Sequence, residues 1–211
     1  MGNSARPRRP LRGGTRGVPR AERERQILDV AGREFAERGY YAVSMDDVAE
    51  ATGISKPMVY AYFGSKDGLY LAYVERAGEE LLDRLRAAGE ADLRPEERLR
   101  AGVSEFLRFV AERRDGWAVL YAEAAAHGGP LAGRIAGLRS RIAGIVERLL
   151  TSTFEGRADA PTDPARIEGI AHAFVGAGES LANWWLDHPE IESDEVAGWL
   201  MAYGMTAAGG R

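Results

Sequence analysis

Cysteine is absent from the 211 residues. That absence excludes a disulfide scaffold, Cys-ligated zinc, iron–sulfur ligation and thiol catalysis. Histidine is scarce: His127, His172 and His188 are the three, and no two share the i, i+4 spacing of a helical metal pair. Long apolar runs are missing as well. The longest weakly polar stretch, Gly169 to Leu186, holds His172, Glu179 and Asn183 and reads as a buried helix rather than a membrane span. There is no run of strand-like alternation, no fixed-period repeat, and no nucleophile-elbow, P-loop or dinucleotide-binding motif. The expectation is therefore no catalytic residue, no metal and no cofactor.

Targeting signals are also lacking. Met1-Gly2 opens like a myristoylation site, but Arg6 stands where Ser or Thr is required. Arg8-Arg9 lacks the apolar stretch of an export signal. The default location is the cytoplasm, with no membrane partner.

What is present is ordinary for a globular chain, 45% hydrophobic and 28% charged, enough for one large domain or a small one plus a larger one. The net charge of −4 is unevenly spread. Residues 1–20 carry six arginines and no acid, and residues 21–66 carry six bases against eight acids, so the first 66 residues are +4 and the rest −8. An anion-binding function belongs at the basic front.

The pattern from Pro19 onward is helical. Ile27, Ala31 and Phe35 recur at four-residue spacing, and Gly39 is placed to end that helix as a left-handed cap. Ser44 and Asp47 fit a capping box opening a short helix that Gly53 closes. Ser55 caps the next, with Pro57 allowed in its first turn. Ser65 caps a helix from Lys66 to about Ala88, with Leu69, Ala72, Tyr73, Ala77 and Leu81 as its stripe. Further helices start at Pro95, near Gly116, along Ile135 to Leu149, at Asp163-Pro164, and at a Ser193 cap. Gly128-Gly129-Pro130 punctuates the middle. The fold class is all-α, with about nine helices: a disordered basic arm over 1–18, an N-terminal helix-turn-helix over 19–66, and a larger helical domain over 67–211.

Residues 44–63, SMDDVAEATGISKPMVYAYF, carry the chemistry. Two short helices flank a tight turn at Gly53, with Val48 and Ile54 to lock them, as in a helix-turn-helix. Its second helix lies in a DNA major groove with its first residues nearest the bases. The candidate DNA contacts are Ser44, Ser55, Lys56, Pro57, Met58, Tyr60, Tyr62 and Lys66. The tyrosine hydroxyls and Lys66 suit phosphates. Tyr40 and Tyr41 after Gly39 read as core and turn residues, one of which can also touch the DNA backbone. The N-terminal arginines fit either a solvated tail or an arm tracking phosphates or the minor groove.

Phe35, Gly39, Tyr40, Ser44, Val48, Ala49, Gly53, Ile54 and Ser55, followed by Tyr60, Phe63, Ser65, Lys66 and Leu69, make a segment that resembles the TetR family of bacterial transcriptional regulators. The resemblance covers about residues 20–70, and Tyr-x-x-Phe-x-Ser-Lys is its most specific part. Tyr62 stands where the family often has His, and Val59 where Leu is common. Lys56-Pro57-Met58 replaces small polar residues, so no relative's operator transfers.

The resemblance implies a two-fold homodimer on near-palindromic double-stranded DNA, with the last two long helices forming a four-helix bundle. It also implies a small-molecule effector held by the central helices. The candidate dimer residues are Phe174, Ala177, Gly178, Leu181, Trp185, Trp199 and Tyr203. The candidate effector residues are Phe106, Phe109, Trp117, Tyr121, His172, Phe174 and Trp184, for an unknown hydrophobic or aromatic compound. Aromatics at helical spacing fit a plain core equally, and His172 fits a structural role. Adjacent Trp184 and Trp185 point about 100° apart, so one of them faces partner or pocket. The function expected is a ligand-released repressor. The alternative is an all-α small-molecule-binding or enzymatic protein with a degenerate head.

Overall fold

The computed structural model describes residues 18–125, 132–157 and 160–209. Nine α-helices lie among them: α1 (Arg20–Ala42), α2 (Met45–Thr52), α3 (Lys56–Phe63), α4 (Lys66–Glu90), α5 (Pro95–Glu112), α6 (Arg114–Ala125), α7 (Ala132–Phe154), α8 (Pro164–Trp185) and α9 (Ser193–Gly209). The basic stretch expected over 1–18 lies, but for Val18, outside the described residues, as do His127 and Gly128-Gly129-Pro130.

The caps explain most of the boundaries. At α2, Ser44 donates from its backbone N–H and its hydroxyl to Asp47 Oδ2, at 2.7 and 2.5 Å, and Asp47 N–H donates back to Ser44 Oγ at 3.1 Å. Gly53 closes α2 at φ 67°, ψ 19°, and its N–H donates to the Ala49 and Glu50 carbonyls. A side chain opposes that left-handed turn, so glycine stands there. Ser65 Oγ accepts from Gly68 N–H at 3.0 Å to open α4, and Asp163 Oδ1 accepts from Ala165 N–H at 3.1 Å to open α8.

Three boundaries differ from the sequence expectation. Gly39 breaks α1 at φ 77°, ψ 159°, an extended rather than left-handed-helical conformation, and the helix resumes for one turn through Ala42. Ser55 stands at the N-cap of α3, but its side chain makes no cap hydrogen bond. Ser193 is the first residue of α9 rather than its cap: the Glu192 carbonyl accepts from the Glu195 and Val196 N–H groups.

One hydrophobic core runs through all nine helices. In the head, Ile27, Phe35, Val48, Ile54 and Val59 meet with almost no exposure. In the body α4 packs on α5, α7 on α8, and α9 against α5 and α8. Head and body are joined because α1 packs on α4 and α6. Gly32 of α1 permits that approach, since a Cβ there would stand 2.1 Å from the Tyr73 ring of α4. Arg76 of α4 donates to Asp29 of α1 at 2.6 Å across the same joint.

Candidate functional site

The surface at α2 and α3 is built by burying one side of each helix and leaving the other free. Val59 has no exposure and anchors α3, while Met58 and Tyr60 on either side of it are 40% and 41% exposed. Ser55, Lys56 and Pro57 are exposed at the start of α3. Lys56 Nζ donates to Asp46 Oδ2 at 2.8 Å, bringing the first turns of α2 and α3 together. That partner holds the lysine above its ordinary pKa. Both groups are at least half exposed, so solvent screens the pair and it holds the lysine only weakly. The Asp47 carboxyl is held below its usual range by the Ser44 hydroxyl and N–H, with Arg38 Nη1 also near it at 3.4 Å.

The remaining candidates on the head are more engaged. Tyr62 is half-buried, with the Arg20 guanidinium 5.0 Å from its ring centroid. Lys66 Nζ lies 4.4 Å from the Tyr40 ring centroid and donates to the Tyr41 carbonyl at 3.4 Å. Tyr40 is half-buried and donates its hydroxyl to Asp67. Tyr41 instead stands 94% exposed beside Lys66. Of the two tyrosines after Gly39, Tyr40 packs and Tyr41 stands on the surface.

In the body, α4, α5, α6, α7, α8 and α9 enclose a cavity with about 70 Å³ of free space for water-sized atoms, several times the roughly 10–15 Å³ that one water needs. Phe106, Trp117 and Phe174 line it together with aliphatic residues from α4, α5 and α7. Glu179 is the one charged lining residue among those described. Tyr121 lines a smaller neighbouring cavity that shares Trp117 and Glu179 and adds Arg139. Phe106 meets Trp117 edge to face at 5.4 Å, and Tyr121 lies 5.7 Å beyond.

Phe109 is fully buried and lies under the Arg84 guanidinium rather than on the cavity wall. His172 is exposed on α8 and lines neither cavity. Trp184 is exposed too: it stacks on His188 at 4.0 Å and lies 6.1 Å from Trp199. Sequence reasoning missed Arg139. The signal was available, because Arg139 interrupts the apolar stripe between Ile135 and Ile142.

The dimer candidates divide. Phe174, Gly178 and Trp185 are turned into the protomer. Phe174 packs on Gly204, Gly178 on Leu200 and Phe106, and Trp185 Nε1–H donates to the Ile191 carbonyl at 2.8 Å. Ala177 and Leu181 are half-buried. Trp199 and Tyr203 on α9 are 42% and 52% exposed.

Helix α6 touches both regions. Trp117 forms cavity wall, and two residues earlier Asp115 accepts the Tyr73 hydroxyl at 3.0 Å. Burial first, and the Asp115 charge second, push the Tyr73 phenol above its ordinary value. The ring so held is the one that packs on Gly32 of α1. Among the described residues no group of three or more His, Asp or Glu side chains is arranged to hold a metal, and no helix is long and apolar enough to cross a membrane.

Comparison with known proteins gives a consistent result. Residues 95–207 match the model of a tetracyclin repressor-like C-terminal domain, and residues 27–73 match that of the bacterial regulatory proteins of the tetR family. The HTH-type transcriptional activator FasR of Mycolicibacterium smegmatis is 38% identical over 116 residues, 54% of this chain and 53% of that protein. The matched chain thus spans about half the length of that relative. An uncharacterised HTH-type transcriptional regulator of Mycobacterium tuberculosis is 32% identical over 156 residues, 74% of this chain and 72% of the relative. A solved TetR-like transcriptional regulator from Rhodococcus sp. RHA1 is 37% identical, with a TM-score of 0.78 covering 92% of this chain and 100% of that one.

Proposed function

The chain belongs to the tetR family of bacterial regulatory proteins, and from that premise we propose that it is a dimeric, ligand-released transcriptional repressor of the cytoplasm. In this reading residues 19–66 hold the duplex and residues 67–211 dimerise and sense, with the basic stretch 1–18 preceding them. Met58 and Lys56 read base edges, and Tyr41, Tyr60 and Lys66 meet phosphates. Ser44, Ser55 and Pro57 set the two helix starts against the groove. Tyr62, near the end of α3 with Arg20 over its ring, reaches the DNA backbone beyond Tyr60.

The partner copy docks on the outward faces of α8 and α9, through Ala177, Leu181, Trp184, Trp199 and Tyr203. These residues supply small contacts and large exposed aromatics, the composition of an interface core. The effector enters the cavity against Phe106, Trp117 and Phe174. It performs no chemistry there; it favours one of two dimer geometries, and only that preference moves the equilibrium.

The observation that carries this reading is helix α6, which forms cavity wall through Trp117 and grips the head joint through Asp115 and Tyr73. The test is selection of bound duplexes from a random library by the purified dimer, repeated with a Tyr60→Phe/Lys66→Ala double variant. Enrichment of a near-palindrome by the wild type alone is the expected result. A folded dimer that enriches nothing sends the reading to an all-α binding protein with an inactive head.

A further inference from the structure

Among the described residues the cavity wall is hydrocarbon except at two side chains, and those two constrain what can enter. The first is Glu179, whose side chain is only 14% exposed. Arg139 from α7 grips it with two donors, Nε at 2.8 Å and Nη2. This bidentate pair is charge-balanced. A carboxylate ligand displaces Glu179 from its partner, and an ammonium ligand displaces Arg139. The first leaves Glu179 poorly hydrated and without compensation; the second costs less, because the Arg139 side chain is 42% exposed.

The second place is Trp117. Its indole Nε1–H is buried and has no acceptor among the described residues. A buried donor without an acceptor is unfavourable until one arrives. Of the lining residues, Trp117 is the one whose buried polar atom lacks a partner among the described residues, and that atom is a neutral donor; Glu179 is satisfied by Arg139.

We propose that the effector is an uncharged amphiphile whose apolar body fills the cavity and whose acceptor oxygen, a ketone, ester or lactone carbonyl, takes the Trp117 indole N–H. The closed Arg139–Glu179 pair selects against charged analogues of the same shape. This rests on the regulator reading and adds the chemical class of its ligand.

A matched series tests it: methyl heptanoate, heptanoate, heptylamine and heptane, titrated into the full-length protein by calorimetry. Methyl heptanoate binds about tenfold or more tightly than either charged compound. Trp117→Phe weakens the ester roughly three- to tenfold, the range of one hydrogen bond, and leaves heptane unchanged. Two variants test the pair without touching Trp117. Glu179→Gln frees the guanidinium and raises heptanoate affinity, and Arg139→Gln frees the carboxylate and raises heptylamine affinity. The proposal is overturned if the ester fails to bind or ranks with the charged compounds. It is equally overturned if Trp117→Phe weakens ester and heptane alike, or if the pair variants leave the ranking unchanged. Duplex binding by the ligand-free wild type is read in the same samples. Retained duplex binding with any of those outcomes rejects the ligand class alone, whereas its absence rejects the regulator reading beneath it.

Discussion

Met58 and Tyr60 on α3 stand about two-fifths exposed, while Trp117 and Phe174 on the cavity wall are almost sealed from solvent. The head offers a partner the side chains its small core leaves outside. The body offers a partner the space its larger core leaves unfilled. The head is shaped by a few local devices, the Ser44–Asp47 box and the Gly53 turn, with Val48, Ile54 and Val59 packing α2 and α3 into the common core. The cavity depends on six helices at once, so any shift of one of them is felt by its lining. A rigid reader and a deformable sensor are what a ligand-controlled DNA switch requires, and Tyr73 with Asp115 is the joint between them.

The comparison is broken most severely at the proposed dimer face. Trp199→Glu places a charge among Trp184 and Tyr203, and the loss at such an aromatic anchor is about 2 kcal/mol or more. Sedimentation is expected to show monomers, and duplex binding to fall with the loss of the second half-site. Next comes the joint. Gly32→Ala pushes a methyl into the Tyr73 ring, and overpacking of this kind costs roughly 1–3 kcal/mol. A lower melting temperature is expected, with head and body no longer melting as one unit.

The head sharpens the contrast at smaller magnitude. Lys66→Ala weakens binding to all duplexes and lowers the salt slope by about one, the signature of one phosphate charge. Met58→Ala changes which base is preferred and leaves the slope alone. A pH effect is the smallest. Tyr73 has its folded pKa raised above the ordinary value of 10.0 by burial and by Asp115. Its contribution is therefore full below about pH 10 and is lost as pH rises toward the folded value. Tyr73→Phe is expected to remove that alkaline loss, read as thermal stability against pH.

Much of this was legible in the sequence, for reasons that differ by region. The helices followed from their stripes, as Leu69, Tyr73, Ala77 and Leu81 of α4 show by being buried in order. The α2 box and the Gly53 turn were visible because both are set by residues three or four apart. Ser193 was misread by one place because Glu-Ser-Asp-Glu offers more than one cap, and backbone bonds to Glu192 decide among them.

The cavity was the least legible. Phe106 and Phe109 are the same residue type on one helix, yet the first lines the void and the second is packed shut. Only the arrangement of neighbouring helices distinguishes them. His172 was the opposite case, since it sits one residue after buried Ala171 and off the stripe of Ile167, Phe174 and Gly178, so its exposure could have been read.

The coupling of cavity to head is open to a direct measurement that needs no ligand. Gly102 of α5 lines the cavity, and a Cβ there meets nothing nearer than Leu149 at 3.9 Å. Gly102→Leu therefore grows a side chain into the void and stands in for an occupant. Duplex affinity of this variant, measured against the wild type on the enriched near-palindrome, is expected to fall about tenfold or more, with dimerisation and helicity intact. A folded, dimeric Gly102→Leu protein that binds the duplex as tightly as the wild type would contradict the account.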